Sequence, residues 1–143
     1  MKILLAVDGS KPSLDAARLL VEHADWYREK PEVELVTVHL PVPKLGRMGA
    51  AGVGKAEIDK YYREEGEQNL AAAKKLLERE GVSYNARILV GPVAETIARH
   101  AKSSRCDLIL IGTHGRTGIA GALIGSTASK VLHISDVPVL LAK

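Results

Sequence analysis

The chain has 143 residues, of which 46% are hydrophobic and 26% charged, a composition typical of a globular protein long enough to bury a core. Its net charge of +3 and its aromatic content of 3%, with no Phe, argue against a nucleic-acid partner, which needs a concentrated basic face or a base-stacking platform. The lone Cys106 forms no internal disulfide and no cysteine-rich zinc site, which favours a structural thiol in a reducing compartment. Since no apolar run is long enough for a signal peptide or a transmembrane helix, we expect a cytoplasmic protein with no membrane partner.

The first third of the chain predicts two buried strands with a helix between them. Residues 2–7 are continuously apolar from Ile3, as in a strand covered on both faces. Ser10 then caps a helix that has Pro12 in its first turn. Residues 33–40 are rich in β-branched side chains and predict the second strand, which a pair of prolines ends. The apolar side of the helix carries Ala16, Ala17, Leu20 and Ala24.

The rest of the chain continues the alternation of strands and helices. Residues 41–56 predict a loop, and a long helix follows that ends at Gly81. Three further strands are predicted at 84–90, 107–112 and 137–142. A short helix opens at Gly91 and Pro92, and another covers residues 126–133. Five strands alternating with helices predict a single α/β domain over residues 1–143, with a parallel sheet covered by helices on both faces. The apolar stripes of the two middle helices are Ile58, Tyr62, Leu70, Ala73 and Leu77, and Val93, Ile97 and Ala101.

A glycine-rich stretch, GAAGVGKA at residues 49–56, matches the phosphate-binding P-loop pattern except at its last position. Ala56 replaces the Ser or Thr whose hydroxyl holds Mg²⁺. In addition, the preceding strand ends near Leu40, so no strand leads directly into the loop. We therefore interpret the stretch as a surface loop, and a role for Arg47 or Lys55 as a lid residue near a phosphate stays open.

A second glycine-rich stretch, GTHGRTGIAGALIGSTASKVL at residues 112–132, begins at the end of an apolar strand and runs into a helix. Ligands of open α/β sheets bind at this edge. Gly112 and Gly115 allow close backbone approach to a ligand, and Gly125 and Ser126 lie where free N–H groups and the helix dipole attract an anion. The alternative is that these glycines only form a tight loop between strand and helix.

The spacing Gly112-x2-Gly115-x9-Gly125-Ser126 resembles the G-2x-G-9x-G-(S/T) motif of ATP-binding universal stress proteins. The opening KILLAVDGS and the C-terminal third of the chain are also similar to that family, so the resemblance covers the whole chain. It implies a Rossmann-like, three-layer fold (adenine nucleotide alpha hydrolase-like) whose five parallel strands have the order 3-2-1-4-5. It also implies a homodimer joined through strand 137–142.

The same resemblance implies which residues bind ATP, ADP or AMP. Val38 would meet adenine through its backbone, and the residues up to Asp8 would line the nucleoside pocket. Some members carry a hydroxyl where this chain has Ala128, so one phosphate contact is in doubt. The nucleotide-binding residues implied are Ala6, Val7, Asp8, Val38, Gly112, Thr113, His114, Gly115, Gly125, Ser126 and Thr127.

Several roles are left open by the sequence. Asp8 caps the following helix or contacts the ligand, whether ribose, base or Mg²⁺. His114 donates to a phosphate or is exposed in its loop. No catalytic triad and no residue that would position a hydrolytic water is evident, so we expect a nucleotide-binding module in stress response and not an enzyme. The alternatives are an adenylating enzyme of the same fold and a dimeric interaction protein that binds no nucleotide.

Overall fold

The computed structural model describes residues 1–42, 54–115 and 124–143, which form a parallel sheet with helices on both faces. The strands are β1 (Lys2–Ala6), β2 (Glu32–His39), β3 (Tyr84–Val90), β4 (Leu108–Gly112) and β5 (Val139–Ala142). Their order is β3-β2-β1-β4-β5, which confirms the order that the family resemblance implies. Chain order therefore reverses beside β1, which pairs with β2 on one side and β4 on the other.

The helices are α1 (Lys11–Glu22), α2 (Lys55–Arg79), α3 (Val93–Ser103) and α4 (Ser126–Ile134). Successive side chains of a strand point to opposite faces, and the core divides accordingly. Ile3 and Leu5 of β1 belong to a cluster with α1 and α2, whereas Leu4 belongs to a cluster with α3 and α4. These three side chains are fully buried, as the continuous apolar run of β1 predicts.

Three predicted boundaries are wrong by two or three residues, and those of β1, β2, β4 and α4 differ by one. The helix α1 ends at Glu22, so Ala24 falls in a separate 3-10 turn, Ala24–Trp26. The loop predicted at 41–56 is shorter at its end, because Gly54 is already the N-cap of α2. The strand β5 begins at Val139, since Pro138 has no N–H to donate and contributes only its carbonyl, which accepts from Ile109 N at 2.8 Å. Among the described helices, none combines the length and the apolar character needed to cross a bilayer.

Candidate functional site

A cavity of about 640 Å³ opens at the carboxyl ends of β1, β2 and β4, where chain order reverses. We call it the sheet-end pocket. Every residue that the family resemblance assigns to nucleotide binding lines it except Thr113. Residues from α1, α2 and α3 complete its walls. Its described lining is Ala6, Val7, Asp8, Ser13, Val36, Val38, His39, Leu40, Asn69, Val93, Ile97, Ile111, Gly112, His114, Gly115, Ile124, Gly125, Ser126, Thr127, Ala128 and Ser129.

One end of the sheet-end pocket is formed by the first turn of α4. Its N-cap, Gly125, makes no side-chain cap hydrogen bond, and its first turn contains no acidic residue. Ser129 N donates to Gly125 O at 2.9 Å, so the N–H groups of Ser126, Thr127 and Ala128 have no acceptor within the helix. These N–H groups carry the positive end of the helix dipole, which suits them to an anion.

Gly125 itself does not contribute a free N–H group. Its N–H donates to Thr113 O at 2.6 Å, and Thr113 N donates to Ala142 O at 2.9 Å. The expectation that the Gly125 N–H is available to an anion is therefore wrong. Thr113 joins β4 to β5 and to the start of α4 instead of lining the pocket, and its hydroxyl lies 3.1 Å from Nδ1 of His114.

The start of α2, where the P-loop pattern ends, differs from the start of α4. Gly54 N donates to Oε2 of Glu57 at 3.0 Å, so a carboxylate already occupies the N-terminal turn of α2. A negatively charged group at this position repels a phosphate. Lys55 is exposed and does not line the sheet-end pocket. Residues 49–53 of the pattern lie outside the described residues.

The other end of the pocket presents the backbone of β2. Val7 N donates to Val36 O at 2.9 Å, which shows that the backbone groups of Val36 face β1. Alternate residues of a parallel strand direct their N–H and C=O groups to the same side, so those of Val38 also face β1. Because β1 ends at Ala6 while β2 continues to His39, the Val38 donor and acceptor face the pocket beyond the end of β1.

Asp8 lies at the pocket, where its contact with a ligand stays a prediction, and it does not itself cap α1. Its Oδ1 accepts from Ser10 N at 2.9 Å, so the carboxylate orders the turn that leads into α1. Ser10, as predicted, is the N-cap of that helix. The same carboxylate lines the pocket, and its Oδ2 points toward Gly115. Within the described residues, no three His, Cys, Asp or Glu side chains converge in a way that could hold a metal ion.

Packing alone disfavours a side chain at two glycines of the motif. A Cβ at Gly112 would lie 2.5 Å from Pro12 O, and the backbone of α1 cannot move away easily. A Cβ at Gly125 would lie 3.1 Å from Thr113 O. Close approach to a ligand is therefore not needed to explain the glycine at 112, since its contact with α1 alone excludes a side chain.

The sequence did not predict the polar residues that α1 and α2 bring to the pocket. Ser13 is buried, and its hydroxyl donates to Ser10 O at 2.9 Å. Asn69 is buried on α2 and donates from Nδ2 to Oγ1 of Thr37 at 3.3 Å. The one sequence feature that could have indicated a buried polar residue is the position of Asn69, which lies next to Leu70 on the apolar stripe of α2.

Comparison with known proteins shows to which family the chain belongs. A model described as the universal stress protein family matches residues 1–143. "Universal stress protein MJ0531" of Methanocaldococcus jannaschii is 34% identical over 143 residues, which cover 99% of this chain and 81% of that protein. The solved structure of hypothetical protein MJ0577, from the same organism, has a TM-score of 0.81 at 28% identity and covers 99% of this chain and 94% of that one. A universal stress protein solved in complex with cAMP has a TM-score of 0.67 at 25% identity and covers 100% of this chain and 97% of that one. This chain belongs to the universal stress protein family.

Proposed function

We propose that this protein is a nucleotide-binding module that holds an adenine nucleotide in the sheet-end pocket and acts in the cytoplasmic stress response. The observation that carries the proposal is the uncapped first turn of α4. Among the four described helices, α1 is capped by Ser10, and α2 and α3 have acidic residues in their first turns, whereas α4 has neither and opens on the pocket. An anion is therefore favoured at α4.

The apolar walls at the other end of the pocket suit the base. The half-buried side chains of Val38 and Val93 supply aliphatic surface there, and the Val38 backbone offers one donor and one acceptor. Adenine presents an acceptor, N1, next to a donor, the N6 amino group, and so matches such a pair. The related protein solved with cAMP supports an adenine ligand for this fold.

We propose ATP, with ADP and AMP as alternatives that the same pocket accepts. The described lining contains no Lys or Arg, and Asp8 is its one charged side chain if histidine is neutral. The charge of the triphosphate would therefore have to be compensated by a divalent cation. Asp8 fits as one oxygen ligand of Mg²⁺, with phosphate oxygens and water supplying the others. When bound, Mg²⁺ would neutralise phosphate charge, so the affinity for ATP should rise with Mg²⁺ while that for AMP should change little.

Binding, and not catalysis, is the proposed activity. An adenylating enzyme would need polar groups for a second substrate beside the phosphate, and the described lining from the connection between β4 and α4 consists of glycines, Ile124 and His114. An enzyme of that kind would consume ATP in the presence of a carboxylate substrate. The alternative of a dimeric interaction protein without nucleotide is disfavoured by the open turn of α4.

The experiment that tests the proposal is isothermal titration calorimetry with AMP, ADP and ATP, each with and without Mg²⁺. Denatured samples of the purified protein are assayed in parallel for released nucleotide by absorbance and mass spectrometry. We expect saturable binding of adenine nucleotides and weaker binding of GMP. If no adenine nucleotide is retained and none binds at millimolar concentration, the proposal fails and the interaction-protein alternative is favoured.

A further inference from the structure

A buried carboxylate lies one layer below the apolar wall of the sheet-end pocket. Glu34 of β2 is 4% exposed. Its carboxylate is 3.2 Å from Nζ of Lys2 and 3.3 Å from Nε2 of His100, while Nε of Arg87 is 3.9 Å away. We call these four residues the Glu34 cluster. Burial acts to raise the pKa of Glu34, but hydrogen bonds from His100 and Lys2 outweigh it and hold the pKa below its usual value.

The cluster connects directly to residues that line the pocket. Glu34 and Val36 lie two residues apart on β2, so their side chains share the face that α3 covers. His100 and Ile97 lie one turn apart on α3 and face the same strand. Val36 and Ile97 are almost fully buried and both line the pocket. The contact between Glu34 and His100 is thus the next layer of packing beneath the wall that Val36 and Ile97 form.

The orientation of the His100 ring is determined by its neighbours. Nε2 lies 3.3 Å from Oε2 of Glu34 and 3.2 Å from Oγ of Ser104. An ionised carboxylate can only accept a hydrogen bond, so Nε2 carries the hydrogen and donates it to Glu34. A charge-assisted hydrogen bond of this kind is directional, and it holds the imidazole, and the turn of α3 that carries it, against β2.

We infer that Glu34 and His100 are positioning residues for the nucleotide pocket, holding the α3 wall at the distance from β2 that the base requires. The inference rests on the proposed function, because it assumes that a base packs on the wall that Val36 and Ile97 support. Neither Glu34 nor His100 touches the ligand. Without their hydrogen bond α3 would shift, which would weaken the packing of Val93 against the base. Because α3 also packs on α4, the shift would reach the phosphate end of the pocket as well.

Two probes separate the ends of the pocket: adenosine reports on the base end alone, and AMP reports on both ends. The test compares His100→Leu, which removes the donor, with His100→Gln, which keeps an N–H donor. Glu32→Gln is the matched control, since Glu32 lies on the same face of β2 one layer farther from the pocket, 3.6 Å from Nζ of Lys2 and largely exposed. Affinities are measured by calorimetry on variants that circular dichroism shows to be folded.

We expect His100→Leu to weaken adenosine binding by about five- to tenfold, which lies within the range of coupling between residues in one packed network, and AMP binding at least as much. His100→Gln and Glu32→Gln should stay within about twofold of wild type. Glu34→Gln retains the size of the side chain and should bind both probes about threefold more weakly. It serves as the test variant if His100→Leu does not fold. Wild-type affinity for adenosine in a folded His100→Leu or Glu34→Gln variant overturns the inference, as does a loss confined to AMP. If the wild-type protein binds neither probe, the proposed function itself fails and the inference falls with it.

Discussion

Gly115 and Asp8 lie next to each other in the lining of the sheet-end pocket, and a Cβ on residue 115 would lie 2.8 Å from Oδ2 of Asp8. The absence of a side chain at 115 therefore leaves room for the Asp8 carboxylate in the orientation in which Oδ1 accepts from Ser10 N. Among the described residues, an alanine there would meet the end of this short, movable side chain and no backbone atom. Because the alanine would meet this side chain and no backbone atom, we expect the site to change more than the fold does.

Gly115→Ala should accordingly weaken AMP binding by about tenfold, the cost of one charge-assisted contact, while the free energy of unfolding changes by less than about 1 kcal/mol. Calorimetry and urea denaturation check the two parts. Gly54→Ala is the matched control, because a Cβ at Gly54 meets no described atom within 4 Å. Unchanged AMP affinity in Gly115→Ala would show that Asp8 does not contact the ligand.

Gly112→Ala should, by contrast, lower the stability of the fold. The new Cβ would meet backbone atoms of α1, Pro12 O at 2.5 Å and Ser13 N at 3.1 Å, and these cannot rotate away. We expect the free energy of unfolding to fall by about 1–3 kcal/mol, the usual range for an overpacked core. Urea denaturation of the ligand-free protein measures it. A variant that is as stable as wild type but binds no nucleotide would show that glycine is needed at 112 for close approach to the ligand and not for packing on α1.

These two glycines show how far the sequence could predict the site. Their spacing located the pocket, because glycines at the end of a buried strand indicate close backbone approach. It could not distinguish a glycine that faces a carboxylate from one that faces a helix backbone, since that depends on how α1 packs on β4. The buried pair Thr37 and Asn69 was missed for a similar reason. The contact joins residues far apart in sequence and depends on the register of α2 against β2.

Stability should depend on pH through Glu34. Its pKa is lower in the folded protein than the usual 4.5, so its ionisation stabilises the fold above the pKa of an unfolded glutamate, and that contribution is lost as the pH falls through the folded pKa. Between about pH 5 and pH 3, wild type should therefore lose more stability than Glu34→Gln, which has no such proton to bind. Urea denaturation at several pH values measures the difference. If wild type and Glu34→Gln lose equal stability as the pH falls, other carboxylates are responsible for the destabilisation in acid.

The strand β5 forms the edge of the described sheet, where β4 is its one neighbouring strand. Val139, Leu140 and Leu141 are half-buried there, and an apolar edge without a blunting charge tends to pair with another chain. We predict a homodimer through residues 137–142. Val139→Lys should shift the protein toward monomer in sedimentation velocity, because two lysines would face each other across a two-fold axis. A wild-type protein that remains monomeric at high concentration contradicts this prediction.

The most direct test of the phosphate site removes one backbone donor from α4. Proline is tolerated at the first position of a helix, and the extended conformation of Gly125 (φ −69°, ψ 158°) is the one that a residue before proline adopts. Ser126→Pro thus deletes an N–H group with little disturbance of the helix, and Ser126→Ala controls for the hydroxyl. Lys55→Ala tests the start of α2 in the same series.

The measurement is calorimetric titration of these variants with AMP and with adenosine. We predict that Ser126→Pro loses more AMP affinity than Ser126→Ala, by about 1.5–3 kcal/mol for a hydrogen bond to a charged group, and binds adenosine as wild type does. Lys55→Ala should lose less than about tenfold for AMP, since an exposed lysine contributes on the order of 1 kcal/mol or less. Loss of AMP binding in Lys55→Ala, with full AMP affinity in a folded Ser126→Pro, would contradict the account and move the phosphate to the start of α2.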